Sequence, residues 1–550
     1  MLKTVATAAA LLAAGALPAA AGMGQDLKTD PLAQTGACVV PGAQVALALA
    51  AKPLLVSGLG FSGITPDTAD PEARRWFDQG VALIWAFDEA EAVRAFQEAQ
   101  RIAPDCAMCF WGEAWARGPT INLTDRPEEL AAAKKAADRA ASLSAKLPPR
   151  DKALVDAIRL RASGEGTFRK ADYARTMVAL ASRYPDDDTV ATMAADAWMT
   201  DADWDKIELG SPAQTLLEGV LARNPDHSGA IHFYIHLTDA IDRQKLAEPY
   251  ADRLGGIAPA ASHLVHMPSH TFFGVGRYGD AMKVNLAALA AGRRYDATVK
   301  PPPTDYRTGL MGHNAHFVMQ SGLMHGDTAS ALAGAREFAT SFPDGGPPYA
   351  ALLHAATYVV HGIGGDAMPD PGRSPLMKAA AAYGLGERAA RAGDVGGVRR
   401  QAAAVRAALK MRDFPLVGAG GKAGRAYVEI AALVLDGRAH MLAGKPRMAA
   451  NAFRRATQIQ QGADFGFDPP TWWFPVRRSL GAATLAAGDA RSARLQLLAS
   501  LKRWPEDPLA LWALSQAEAK RGDTAAAAAA LAAAKKGWAG DVEQVPLSVI

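Results

Sequence analysis

The chain is poor in cysteine, in net charge and in long apolar runs, and each shortage excludes something. Its formal charge is only +3 over 550 residues, from 59 basic and 56 acidic side chains, with no sustained basic stretch. That argues against a nucleic-acid footprint or a polybasic membrane patch, so no nucleic-acid partner is expected. A phosphate loop of the G-x-x-x-x-G-K-[ST] type and a G-x-S-x-G nucleophile elbow are both missing, which removes the common nucleotide and serine-hydrolase readings. No segment reads as a membrane span.

The N-terminus, MLKTVATAAALLAAGALPAAAG, has one lysine, an apolar stretch too short to cross a bilayer and small residues suited to cleavage near Ala21. Residues 1–21 therefore read as a signal peptide, and a bacterial periplasm is the expected location. No cysteine follows the cleavage site directly, so a lipid anchor is not indicated. The three cysteines are Cys38, Cys106 and Cys109, and in an oxidising compartment a disulfide is expected between two of them. Cys106-Ala-Met-Cys109 opens a helix, where a thiol pKa is lowered. Three readings stay open for it: a structural disulfide, a redox or metal-delivery pair, or pairing of one member with Cys38. No histidine follows Cys109, which argues against covalent haem.

From about residue 70 onward the composition is uniformly Ala-rich and helix-prone, which favours one long helical array over several domains. Residues 22–70 lack a period and read as an extended lead-in. Gly80, Ala92, Phe96, Ala99 and Pro104 fall at positions 8, 20, 24, 27 and 32 of a 34-residue unit starting at Ala73. The frame recurs through Ala213, Leu217 and Pro225, through Pro259 and Pro343, and again through Gly444, Ala449, Phe453 and Ala456. Leu480, Gly481, Gly488, Ala493 and Pro505 keep it, as do Gly522, Ala527 and Ala534.

This spacing resembles the tetratricopeptide repeat, a helix-turn-helix with small residues where the helices touch and a proline closing the second. The resemblance implies an all-α superhelix, an α-solenoid of about ten helix-turn-helix units. The units divide into an N-terminal set over 71–227, a central histidine-rich set over 228–345, irregular helical units over 346–425 and a C-terminal set over 426–550. In that family the first helices line a concave groove, positions 2, 5, 9 and 12 face it, and a protein or peptide partner commonly occupies it. The segments PDCAMCFWGEAWARGPTIN and HLVHMPSH are also similar to poorly characterised secreted bacterial tetratricopeptide proteins.

Histidine is scarce, at 12 residues, yet nine lie between His227 and His325, where an even spread would put about two. Seven of them share one register. His232 and His236 take positions 5 and 9 of the unit starting at Ser228, and His263, His266 and His270 take positions 2, 5 and 9 of the next, starting at Ser262. His313 and His316 take positions 2 and 5 of the unit starting at Gly312. Residues three and four apart share a helix face, so stacked repeats pool these rings into one histidine-lined surface. Unpartnered imidazoles pack poorly, because both ring nitrogens need a partner, and a metal ion supplies one.

Two local departures accompany the row. Pro268 interrupts a first helix at position 7. Asn285 stands at position 24, where the repeat expects a large apolar residue, and is expected to hydrogen-bond a ligating ring. Copper or zinc suits an all-imidazole set. Iron is less supported because no carboxylate reads as in phase, although Asp239, Asp242, Glu248 and Asp305 lie close in sequence. His354 and His361, seven apart, could extend the row. His227 and His325 read as solvent-facing turn residues, and Trp472-Trp473-Phe474 as core. The expected function is binding of a transition metal for handling or for a metal-dependent activity; the alternative is an interaction scaffold whose groove holds a partner without metal.

Overall fold

A computed structural model describes residues 53–123, 126–302, 304–342, 357, 375–411, 421–462, 470 and 472–550. Residues 1–21, read above as a signal peptide, and Cys38, His354 and His361 lie outside these residues. Among the described residues there are no strands, and the helices form eleven antiparallel pairs, from Pro71–Trp85 with Glu89–Ile102 to Pro508–Arg521 with Thr524–Gly537.

The pairs close where small residues let one helix approach its partner. A Cβ on Gly80 would stand 2.7 Å from the Phe96 ring, and one on Gly112 only 2.3 Å from the same ring, so this phenylalanine wedges between two glycine-bearing first helices. Gly437 against Phe453 and Gly481 against Leu497 repeat the arrangement near the C-terminus, at 2.4 and 2.6 Å. Aspartates recur as caps: Asp70, Asp187, Asp394, Asp489, Asp507 and Asp523 each accept a backbone N–H of the helix they precede, which satisfies donors the helix itself leaves open. The all-α repeat architecture read from the sequence is the architecture observed. No helix of the described residues is long and apolar enough to cross a membrane.

The part of the lead-in that is described lies against the starts of first helices. Asp67 accepts from the Ala107 and Met108 N–H groups, Thr189 Oγ1 donates to Gly63 O, and Ala260 N donates to Gly58 O. One extended segment thus ties together units far apart in sequence.

Both ends of the array also reach the central units. From the N-terminal side, the turn after Trp85 brings Phe87, at φ 56°, and Asp88 inward, and Asp88 pairs with Arg307 at 2.6 Å. From the C-terminal side, Tyr278 Oη donates to Pro505 O at 2.9 Å, Arg503 pairs with Asp242 at 3.0 Å, and His325 Nδ1 donates to Gly537 O at 2.9 Å. His325 is therefore a docking residue for the last helix pair. His227 is likewise not solvent-facing: it is fully buried, its Nδ1 accepts from the Ala230 N–H, and burial pushes its pKa down to about 4.

Candidate metal centre

Three helices of the central units carry the histidines. His232 and His236 sit one turn apart on Ser228–Ala240. Pro268 divides the next first helix into Ser262–His266 and Pro268–Gly274, with His263 and His266 on one piece and His270 on the other. His313 and His316 lie on Asp305–His325.

These rings gather into two triads. In the first, His232 Nε2 lies 3.0 Å from both His236 Nε2 and His263 Nε2. In the second, His266 Nε2 lies 2.9 Å from His270 Nε2, and the His313 ring centroid is 4.8 Å from that of His266. Within each triad the candidate ligand atoms all fall within 4.8 Å of one another. Three tetrahedral nitrogens at about 2.0–2.1 Å from an ion stand about 3.3 Å apart, so small movements would seat one. The triads are neighbours, with His263 and His266 ring centroids 5.9 Å apart and those of His236 and His270 6.0 Å apart.

Outer partners fix which nitrogen faces inward. His232 Nδ1 lies 2.6 Å from the Trp85 carbonyl oxygen, which can only accept, so the proton sits on Nδ1 and the Nε2 lone pair points into the first triad. Asn285 Nδ2 donates to Ala281 O, which turns its Oδ1 toward His266 Nδ1 at 2.7 Å. His266 must therefore donate from Nδ1 and presents Nε2 to the second triad. Burial disfavours the protonated rings. Desolvation holds His236, His263, His266 and His313 well below the ordinary imidazole value, neighbouring rings adding to it, and pushes His232 down to about 3. Neutral imidazole with a free Nε2 is the ligating form. Without an ion, His232 Nε2 would accept from both neighbours, leaving the buried Nδ1 atoms of His236 and His263 with nothing to bond.

No family model matches the chain, and no curated protein matches it. Among solved structures, the human IFIT1 dimer with m7Gppp-AAAA is 13% identical, covering 86% of this chain and 91% of that one with a TM-score of 0.30. Yeast Tom70 is 12% identical over 83% of this chain and 90% of its own, with a TM-score of 0.26. Superpositions that loose transfer neither ligands nor partners. The helix pairs and their glycine-to-phenylalanine contacts decide the matter. The fold is of the tetratricopeptide type.

In the tetratricopeptide frame both triads obey one rule: positions 5 and 9 of one unit with position 2 of the next. Position 2 of the first central unit is Gly229, where a Cβ would meet the Trp85 ring at 2.7 Å, so the row cannot start one ring earlier. His316 takes position 5 after the second triad and lies outside both. It is buried, which pushes its pKa down to about 3, and position 9 of its unit is Gln320, also buried, with neither amide atom hydrogen-bonded. Position 2 of the following unit lies outside the described residues.

Two expectations need correction. The histidines do not line an open concave surface: His232, His236, His263, His266 and His270 are at most 4% exposed. Phe87 covers the first triad, with ring centroids 4.4 Å from His232 and 5.3 Å from His263, and Phe317 sits 5.1–5.2 Å from His266, His270 and His313. The other concerns carboxylates. Asp239 Oδ2 lies 3.6 Å from His270 Nδ1. It occupies position 12 of its unit, seven residues after His232, so it was in phase after all. It approaches the outer nitrogen of His270, as a carboxylate that orients a ligating imidazole does. Cys106 and Cys109 are bonded to each other and buried at the start of the Ala107–Ala116 helix, apart from the histidines.

Proposed function

We propose that this is an exported metalloprotein holding transition-metal ions, copper or zinc ahead of iron, in two tandem tri-histidine sites, for metal handling or a metal-dependent activity. The observation that carries this reading is the convergence of neutral imidazole nitrogens in each triad, with His232 and His266 locked in the ligating tautomer by Trp85 O and Asn285. Three protein nitrogens leave a fourth position for water or another ligand, which is how metal sites with chemistry differ from closed structural ones. Affinity order favours copper for such a set, and tri-imidazole coordination equally suits zinc. The N-terminal leader and the Cys106–Cys109 disulfide support an oxidising compartment.

A metal-free scaffold would keep an open groove, whereas Phe87 from one end and the segment around Pro505 from the other already occupy the space beside the central helices. The test is elemental analysis by inductively coupled plasma mass spectrometry on protein purified without a metal-affinity tag and dialysed against a mild chelator. Two equivalents of metal are expected, with all of it lost when His232, His236, His266 and His270 are changed to alanine and helical content is retained. Metal-free protein that cannot be reloaded would overturn the reading.

A further inference from the structure

The two triads differ in what lies beside them. A cavity of about 180 Å³ opens next to the second, with His270 and Asp239 in its wall. Its sides are aromatic. Phe273 meets Tyr278 and Trp504 edge-on at 5.0 and 5.7 Å, and Phe317 completes the wall against His270 at 5.1 Å. Lys502 and Arg503 are exposed and stand at its margin. An apolar cavity of about 150 Å³ is enough for benzene, so this one has room for a single six-membered ring. Edge-to-face contacts with such walls favour an aromatic ring over an aliphatic one.

The polar groups of the cavity choose the ring's substituent. Asp239 and Asp242 both line it; Arg503 is paired with Asp242, and Asp239 Oδ1 accepts from Gln244 Nε2 at 2.8 Å. A carboxylate on the ligand would meet like charge there, whereas a hydroxyl can donate to Asp239. Resting on the metal reading above, we infer that this cavity binds a small monocyclic phenol beside the second triad, its hydroxyl donating to Asp239 next to His270. The second triad is then the one with a ligand cavity at its side, while the first lies under Phe87.

The test titrates metal-loaded full-length protein with phenol and with benzoate by calorimetry, measuring metal content on the same samples. One phenol per chain is expected, with benzoate at least about tenfold weaker from like-charge repulsion. Trp504→Ala should weaken phenol about tenfold, the scale of one lost aromatic contact. Asp239→Asn, which keeps the shape, should erase the preference for phenol over benzoate. Benzoate binding as tightly as phenol, or phenol binding indifferent to both Trp504→Ala and Asp239→Asn in metal-loaded protein, overturns this inference alone. Protein that cannot be loaded with metal overturns the metal reading and this inference with it.

Discussion

The first and second triads use the same three register positions and end in different surroundings. Around His232, His236 and His263 the neighbours are the Trp85 carbonyl and the Phe87 ring, delivered by the N-terminal hairpin. Around His266, His270 and His313 they are Asn285, Asp239 and a cavity walled partly by the C-terminal segment. The repeat frame thus repeats the ligands, and whatever packs on from outside the frame decides access and polarity. A tandem array can in this way build two sites of like composition and unlike chemistry.

The largest expected effect separates the sites. His266→Ala with His270→Ala should remove one metal equivalent and leave the other, and His232→Ala with His236→Ala should do the converse; elemental analysis of the two variants decides it. Loss of all metal from either double variant would mean a single coupled centre and break the comparison.

Acid should act on the buried imidazoles as a group. His232 in the first triad and His316 outside both have pKa values pushed down to about 3, against about 6.5 in the unfolded chain. Between those values the unfolded state binds more protons, so stability is complete above pH 6.5 and falls as pH drops toward 3. Thermal melts of the metal-free protein should show this decline. A melting temperature flat from pH 7 to pH 4 would contradict the burial of these rings in neutral form.

A smaller and more selective effect is expected at the outer partners. Asn285→Ala removes the acceptor that fixes His266, and affinity at the second site should fall about 10–100-fold with the first unchanged. Competition with a chelator of known affinity measures both sites at once. Equal weakening of the two would show that Asn285 supports the fold and has no specific role at one triad.

The smallest effect concerns rate. Phe87→Leu trims the ring that covers the first triad, and metal there should be stripped by chelator several-fold faster, with the second site unaffected. Stopped-flow release in the presence of a chromogenic chelator reads the difference. The same release rate in variant and parent would place the barrier elsewhere.

Much of this was legible before any coordinates. The pairing of Gly80 with Phe96, the break at Pro268, the i,i+4 histidine pairs and the out-of-place Asn285 are all local or repeat-periodic signals, because helix periodicity and a 34-residue frame convert sequence spacing into spatial neighbours. Asp239 is visible by the same rule, at position 12, seven residues after His232. Trp85 and Phe87 gave no such sign. They stand at a helix end and in the turn that follows it, 147 residues from His232 in the case of Trp85, and nothing in a repeat frame announces which distant turn will fold back onto the row.

The sequence by itself determined the helical repeats, the register of the imidazoles and therefore the composition of each triad, since these depend on contacts within a unit or between adjacent units. Only the tertiary structure decided that the rings are buried, that Phe87 seals one triad and that Trp504, Tyr278 and Asp239 leave a cavity beside the other. Those outcomes depend on how far the array curls before its two ends meet its middle. That curl is a sum of small rotations over many units, which no single segment encodes.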